Sequence, residues 1–209
     1  MWAITGRSRT GTIGFGISKV IGFSLVPRPA ARTIAFIAAP DGTGPGRLAV
    51  LTQREDRFMH GADIRAARRS DLAALLPMMR AYCDFYVADP HDDDLLALSR
   101  ALLADPEREG LQLIAMATDG RSLGFATISW GWSTLLAGRI GTMNDLFVVP
   151  DARGKGLAEA LIEECRRRCR ERGARQLGWQ TAMDNHRAQA VYDRVGGVRA
   201  EWLDYSLDP

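Results

Sequence analysis

The stretch that most restricts what this chain can fold into runs from Gly141 to about Arg172. A strand-like run, Gly141 to Val149, is stopped by Pro150, and Asp151-Ala152-Arg153-Gly154-Lys155-Gly156-Leu157-Ala158 then opens a helical pattern. Glycine lets backbone approach a ligand, and the first turn of a helix carries N–H groups with no partner inside the helix. A strand that delivers Gly154 and Gly156 to a helix start therefore builds an anion site. A nucleotide phosphate, a dinucleotide pyrophosphate and the pyrophosphate of coenzyme A are the candidate anions. An ATPase-type loop needs Ser or Thr after Gly-Lys, but Gly156 follows Lys155. A dinucleotide fingerprint needs a small residue where Glu159 stands and an acid at the end of the next strand, and neither is present.

The 209 residues suffice for one domain with an appendage. Hydrophobic residues at 46% and charged residues at 25% exclude wholesale disorder, collagen-like repetition and a disulfide-stapled miniprotein. The formal charge of +2 argues against a nucleic-acid partner, which needs a concentrated basic surface. That charge is unevenly spread: residues 1–58 carry +5 and the remaining 151 carry −3. Residues 1–58 read as a poorly organised N-terminal extension, either a targeting segment or sequence upstream of a start at Met59. Residues 59–209 read as the domain. The longest charge-free run, Ser122 to Gly138, is rich in Gly, Ser, Thr and Trp, which suits strand and loop, so no membrane span is expected. Cys83, Cys165 and Cys169 are an odd number, which favours free thiols and a cytoplasmic setting. The last two sit four apart with no neighbouring His or Cys, so no metal is expected.

Periodicity predicts a strand at Asp63–Ala66 and a helix from Ser70 or Asp71 carrying Leu72, Leu75, Leu76, Met79 and Tyr82. A second helix follows Asp92 and stops near Asp105-Pro106; the acids Asp92, Asp93 and Asp94 at its start complement the helix dipole, the alternative being attraction of a cationic substrate. Leu111–Thr118 and Leu123–Ser129 flank the turn Asp119-Gly120-Arg121-Ser122 as a hairpin. After the Gly141–Val149 strand and its helix come a strand at Gln176–Thr181, a helix at Asn185–Arg194 and a closing strand pair around Val198–Leu207. The arginines at 166–168, 170, 172 and 175 alternate with Glu163, Glu164 and Glu171, the pattern of a solvated helix end.

Arg153-x-x-Gly156-x-Ala158 resembles the acyl-CoA signature of the GNAT superfamily of N-acetyltransferases. Asn144 to Pro150 is similar to that family's fourth strand, and Asn185-x-x-Ala188-x-x-x-Tyr192 followed by Gly196 to its final motif. The resemblance spans residues 63 to about 207. It implies an α+β (mixed α/β) fold, a central mixed but mostly antiparallel sheet flanked by helices, in a single domain with an N-terminal extension. It also implies acetyl-CoA as co-substrate and a small-molecule amine as acceptor, with no nucleic acid and no membrane among the partners and a homodimer left open. Protein or peptide N-acetylation and a catalytically silent acyl-CoA-binding module are the alternatives.

Carried over residue by residue, the resemblance implies that N–H groups from Gly154, Lys155, Gly156, Leu157 and Ala158 hold the pyrophosphate. Backbone of Phe147 and Val148 would pair with the pantetheine arm, and Asn185 would bond that arm or cap its own helix. Tyr192 stands where the family places a general acid near the thioester sulfur, its alternative role being to pack with Ala188, Val191 and Val195. Similar amine acetyltransferases carry a carboxylate where Asn144 stands, and an amide cannot accept a proton at neutral pH. The proton path then runs through a water held by Asn144, or through Asp145, which strand alternation sends to the other face unless a bulge turns it. The acceptor pocket is expected from Tyr82, Asp84, Tyr86, Trp179, Glu201 and Tyr205.

Overall fold

A computed structural model describes residues 62–201, 203 and 205–207, so the expectations for residues 1–58 and for a start at Met59 lie outside the described residues. Among the described residues five strands form one sheet in the order β1 (Ala62–Ala66), β2 (Gly110–Ala117), β3 (Ser122–Ser133), β4 (Gly138–Val148) and β5 (Leu177–Gly178). Every neighbouring pair is antiparallel except β4 and β5, which run parallel. Four α-helices of the same described residues flank it: α1 (Leu72–Phe85), α2 (Asp92–Ala104), α3 (Leu157–Glu171) and α4 (His186–Arg194).

Strand alternation divides the core in two. Under α1 and α2, Leu75, Met78, Met79, Cys83 and Leu95 pack on Ile114, Phe125 and Phe147. On the opposite face, Leu157, Leu161, Ile162 and Cys165 of α3 cover Leu113, Ala115, Ala126, Ile128, Met143 and Val148. Full burial of a leucine such as Leu75 or Leu161 contributes about 2 kcal/mol, so these two helices fix the layers. Helix α3 presents the apolar stripe and turns its arginines outward: Arg167 and Arg168 pair with Glu164, and Arg170 with Glu163. Arg172 lies over the Trp130 ring at 4.6 Å. The basic run is thus the solvated helix end that its interspersed acids imply.

Helix α1 begins at Leu72, one residue after the expected cap. Asp71 sits at the N-cap position, as expected, but its side chain bonds no N–H of α1. The Asp71 carboxylate instead accepts the Arg68 N–H at 2.7 Å and both Arg65 guanidinium nitrogens at 2.7 and 2.9 Å, tying β1 to the helix entrance. The acids Asp92, Asp93 and Asp94 form the first turn of α2, and Asp92 pairs with Arg80 across the helix hairpin.

Two expectations fail at the far edge of the sheet. β5 has two residues and does not reach Thr181, and the described residues of the Val198–Leu207 stretch contain no strand. Val198, Leu203 and Leu207 are 96%, 81% and 97% exposed. Apolar alternation specifies a strand only where an edge exists to pair with, and two residues of β5 provide too short an edge.

Candidate active site

Pairing between β4 and β5 covers Gly141 and Thr142 and then ends, while β4 continues to Val148. Among the described residues, the β4 edge from Met143 onward is therefore free on its β5 side. Val149 N–H bonds Leu123 C=O of β3, so alternation also turns the backbone of Phe147 toward β3 and that of Leu146 and Val148 toward the free edge. Of the two residues expected to offer backbone to a ligand, Val148 faces the opening. Phe147 instead buries its ring under α1. Arg153 Nε donates to the Val148 carbonyl at 2.8 Å, and the guanidinium lies over the Phe147 ring at 5.7 Å.

At the end of this edge the chain makes the glycine loop. Gly154 and Gly156 have φ of +76° and +82°, left-handed values that side chains rarely adopt, and Gly156 is the N-cap of α3. No acceptor among the described residues meets the N–H groups of Gly156, Leu157 or Ala158. A Cβ on Gly154 would meet nothing within 4 Å, so the loop is open to a ligand. Lys155 Nζ donates to the Asp151 carbonyl at 2.8 Å and so braces the loop. This donor set fits a pyrophosphate: free N–H groups at a helix start, with Lys155 and Arg153 adjacent.

Further back along β4 the register shifts, Thr127 facing Asp145 and Ile128 facing Met143, so that Asn144 is the extra residue of a bulge. Met143 and Leu146 pack toward α3 while Asn144 and Asp145 both face α1. Asn144 Nδ2 donates to Ser129 Oγ at 3.1 Å, and its carbonyl accepts the Tyr82 hydroxyl at 3.2 Å. Burial holds the Asp145 carboxyl above the ordinary carboxylate range, and the neighbouring Thr127 and Tyr82 hydroxyls pull the other way. The bulge thus brings the amide and the carboxylate to one face, which regular alternation forbids.

Tyr192 of α4 stacks on Trp179, ring centroids 5.3 Å apart, and belongs to the α3 side of the sheet. Its phenol is pushed up by burial and, next, by Tyr86. Asn185 caps α4, its Oδ1 accepting the Ala188 N–H at 3.2 Å, which leaves the amide nitrogen for another partner. Tyr82 and Tyr86 stack edge to face at 5.0 Å beside Asp145. Asp84, Glu201 and Tyr205 are exposed and are not gathered here, Tyr205 being 90% exposed. Thr127, Ser129 and Thr181 line the region without having been singled out from sequence. Each lies within or beside a strand-like run, where a lone hydroxyl carries no signal until its cross-strand neighbour is known. The cysteines are buried free thiols, and among the described residues no cluster of His, Cys, Asp or Glu suited to a metal occurs. No helix among them is long and apolar enough to cross a membrane.

A model of the Acetyltransferase (GNAT) family matches residues 75–197, which takes in the loop, the bulge and Tyr192. The chain belongs to that family. It is therefore an acyltransferase of the N-acetyltransferase type, with the mixed, mostly antiparallel sheet of the GNAT fold. The uncharacterized N-acetyltransferase YhfO of Bacillus subtilis (strain 168) is 32% identical over 134 residues, covering 64% of this chain and 88% of that protein. The aminoglycoside N(6')-acetyltransferase type 1 of Klebsiella aerogenes is 25% identical over 135 residues, covering 64% and 87%. Among solved structures, aminoglycoside N-acetyltransferase AAC(6')-Iy in complex with CoA superposes with a TM-score of 0.61 at 25% identity, covering 70% of this chain and 94% of that one.

Proposed function

We propose that this GNAT protein transfers an acetyl group from acetyl-CoA to the amine of a small molecule by direct attack, with Tyr192 as general acid. The observation that carries the reading is the free β4 edge, bounded at one end by unpaired N–H groups and at the other by the bulge that presents Asp145. When bound, acetyl-CoA supplies an acyl group activated as a thioester. The N–H groups of Gly154 through Ala158 hold its pyrophosphate, and Val148 N–H with the Asn185 amide nitrogen holds the pantetheine arm.

An attacking amine must be neutral. Asp145 takes its proton, directly or through a water held by Asn144, and a carboxylate raised by burial is a stronger base at the working pH. Tyr192 stays protonated, being raised above its ordinary value, and donates to the departing sulfur. A small acceptor is supported by relatives named for aminoglycosides and, in Saccharomyces cerevisiae, for D-amino acids. The three buried free thiols favour a reducing, cytoplasmic setting.

The test is a panel of aminoglycosides, amino acids, simple amines and peptide N-termini incubated with acetyl-CoA, reading free thiol release. Turnover on small amines is the expected result. Turnover confined to peptides replaces the reading with a peptide N-acetyltransferase, and acetyl-CoA binding without turnover on any amine leaves a silent binding module.

A further inference from the structure

The face of the sheet under α1 carries two adjacent rows across β2, β3 and β4. In one row Ile114, Phe125 and Phe147 stand opposite one another, at 0%, 1% and 8% exposure. In the next row Gln112, Thr127 and Asp145 stand opposite one another, and Gln112 and Thr127 are buried just as deeply, at 4% and 3%. Packing alone favours the first kind of row, because buried polar groups gain little net free energy even when paired.

The second row has a direction. Gln112 Nε2 donates to Thr127 Oγ1 at 3.3 Å, with Met79 Sδ 3.5 Å from the same nitrogen. Thr127 stands opposite Asp145 and its hydroxyl works against the effect of burial on that carboxyl. A carboxylate only accepts, so the hydroxyl offers it the O–H and keeps a lone pair for the Gln112 amide. Turning that amide over would draw the hydroxyl hydrogen away and set two oxygens against each other. The arrangement leaves Gln112 Oε1 buried with no partner, a penalty that a leucine or methionine at this position would not carry.

We propose that Gln112 is a positioning residue for Asp145, acting through Thr127 to hold the carboxylate ionised and in one orientation. The inference rests on the reading of Asp145 as the group that takes the proton of the amine. The titratable groups facing Asp145 are Tyr82, Cys83 and Tyr86 of α1, with Tyr192 of α4 beyond the tyrosines. Burial pushes all four up, so they stay neutral near pH 7, and hydroxyl donors rather than a second charge tune the carboxylate.

Two measurements test this: a 13C titration of the Asp145 side chain in the free protein, and the pH profile of kcat/KM. Gln112→Met keeps the volume while removing both the donor and the orphaned oxygen. The expected result is an Asp145 midpoint raised by at least about half a pH unit, an acidic limb of kcat/KM displaced upward by the same amount, and a melting temperature that holds or rises. Thr127→Val should raise the midpoint further, and adding Gln112→Met to it should change nothing more. A midpoint in Gln112→Met equal to that of the wild type overturns the proposal. A midpoint that moves while the acidic limb stays in place supports the positioning role and removes Asp145 from the proton path, so the two readings fail separately. Should Gln112→Met not fold, Thr127→Ser keeps the hydroxyl and should titrate like wild type where Thr127→Val does not; identical titration of those two variants is equally fatal.

Discussion

Tyr192 is proposed to serve packing and chemistry through different atoms. Its ring stacks on Trp179, and its hydroxyl is the part available to protonate a leaving group. Tyr192→Phe keeps the ring and should lower kcat at least about tenfold with acetyl-CoA binding retained, somewhat less than the usual 10² to 10⁴ for a lost general acid because water substitutes in part. Comparable kcat with only a lower melting temperature would show a packing residue. Asp145 makes the opposite bargain with the fold. Its pKa in the folded protein lies above the unfolded value, so the unfolded state binds fewer protons across that window and stability falls as pH rises through it. Asp145→Asn should therefore raise the melting temperature at pH 7 while slowing turnover and erasing the acidic limb of kcat/KM. A melting temperature lowered at pH 7, with a normal rate, would assign the carboxylate a structural role.

At the scale of elements, the site depends on how closely α3 lies against β4. Gly141 makes that approach possible, since a Cβ there would fall 2.5 Å from Cys169 Sγ and 3.1 Å from the Trp130 ring. Gly141→Ala should cost about 1 to 3 kcal/mol in urea unfolding, and Cys169→Ala in the same chain should recover part of it by vacating the space. A neutral Gly141→Ala would mean that the helix shifts at no cost. Burial pushes the Cys169 thiol up to about 11, so it stays an uncharged packing group through neutral pH. At the other end of α3, Gly156→Glu places a side chain at φ +82° and a negative charge where the pyrophosphate is proposed to sit. The variant should lose the thermal stabilisation by acetyl-CoA that wild type shows; an unchanged response would move the anion site elsewhere.

For the molecule as a whole, acetyl-CoA at 100 times its dissociation constant should add about 2.7 kcal/mol, or about 5 to 10 °C in melting temperature at this size. ATP or NAD should give no comparable rise. The described domain opens with β1, paired along its length with β2, and the Arg65–Asp71 bridge locks it to α1. A protein starting at Met59 retains all of these contacts and is expected to bind acetyl-CoA as tightly as the full chain. Loss of binding, or insolubility, would show that earlier residues pack into the domain.

The glycine loop, its preceding strand and its following helix were legible in the chain because local rules govern them: proline stops a strand, glycine adopts positive φ, and an apolar stripe marks a buried helix face. The helices and the first hairpin followed from the same rules, and the family from the resemblance of the Arg153–Ala158 and Asn185–Tyr192 motifs. Everything that required knowledge of a neighbour did not. Asp145 shares a face with Asn144 because β3 sets a register that leaves one residue of β4 over, and no residue of β4 announces that bulge alone. The polar row of Gln112, Thr127 and Asp145 is scattered over 34 residues of sequence in three apolar runs and becomes a row through pairing. The Val198–Leu207 stretch alternates like a strand and forms none among its described residues, because alternation states which faces a strand would have and an edge decides whether it pairs. Local torsional and burial preferences are written residue by residue; strand register and sheet edges are properties of pairs, and tertiary structure alone supplies the second member.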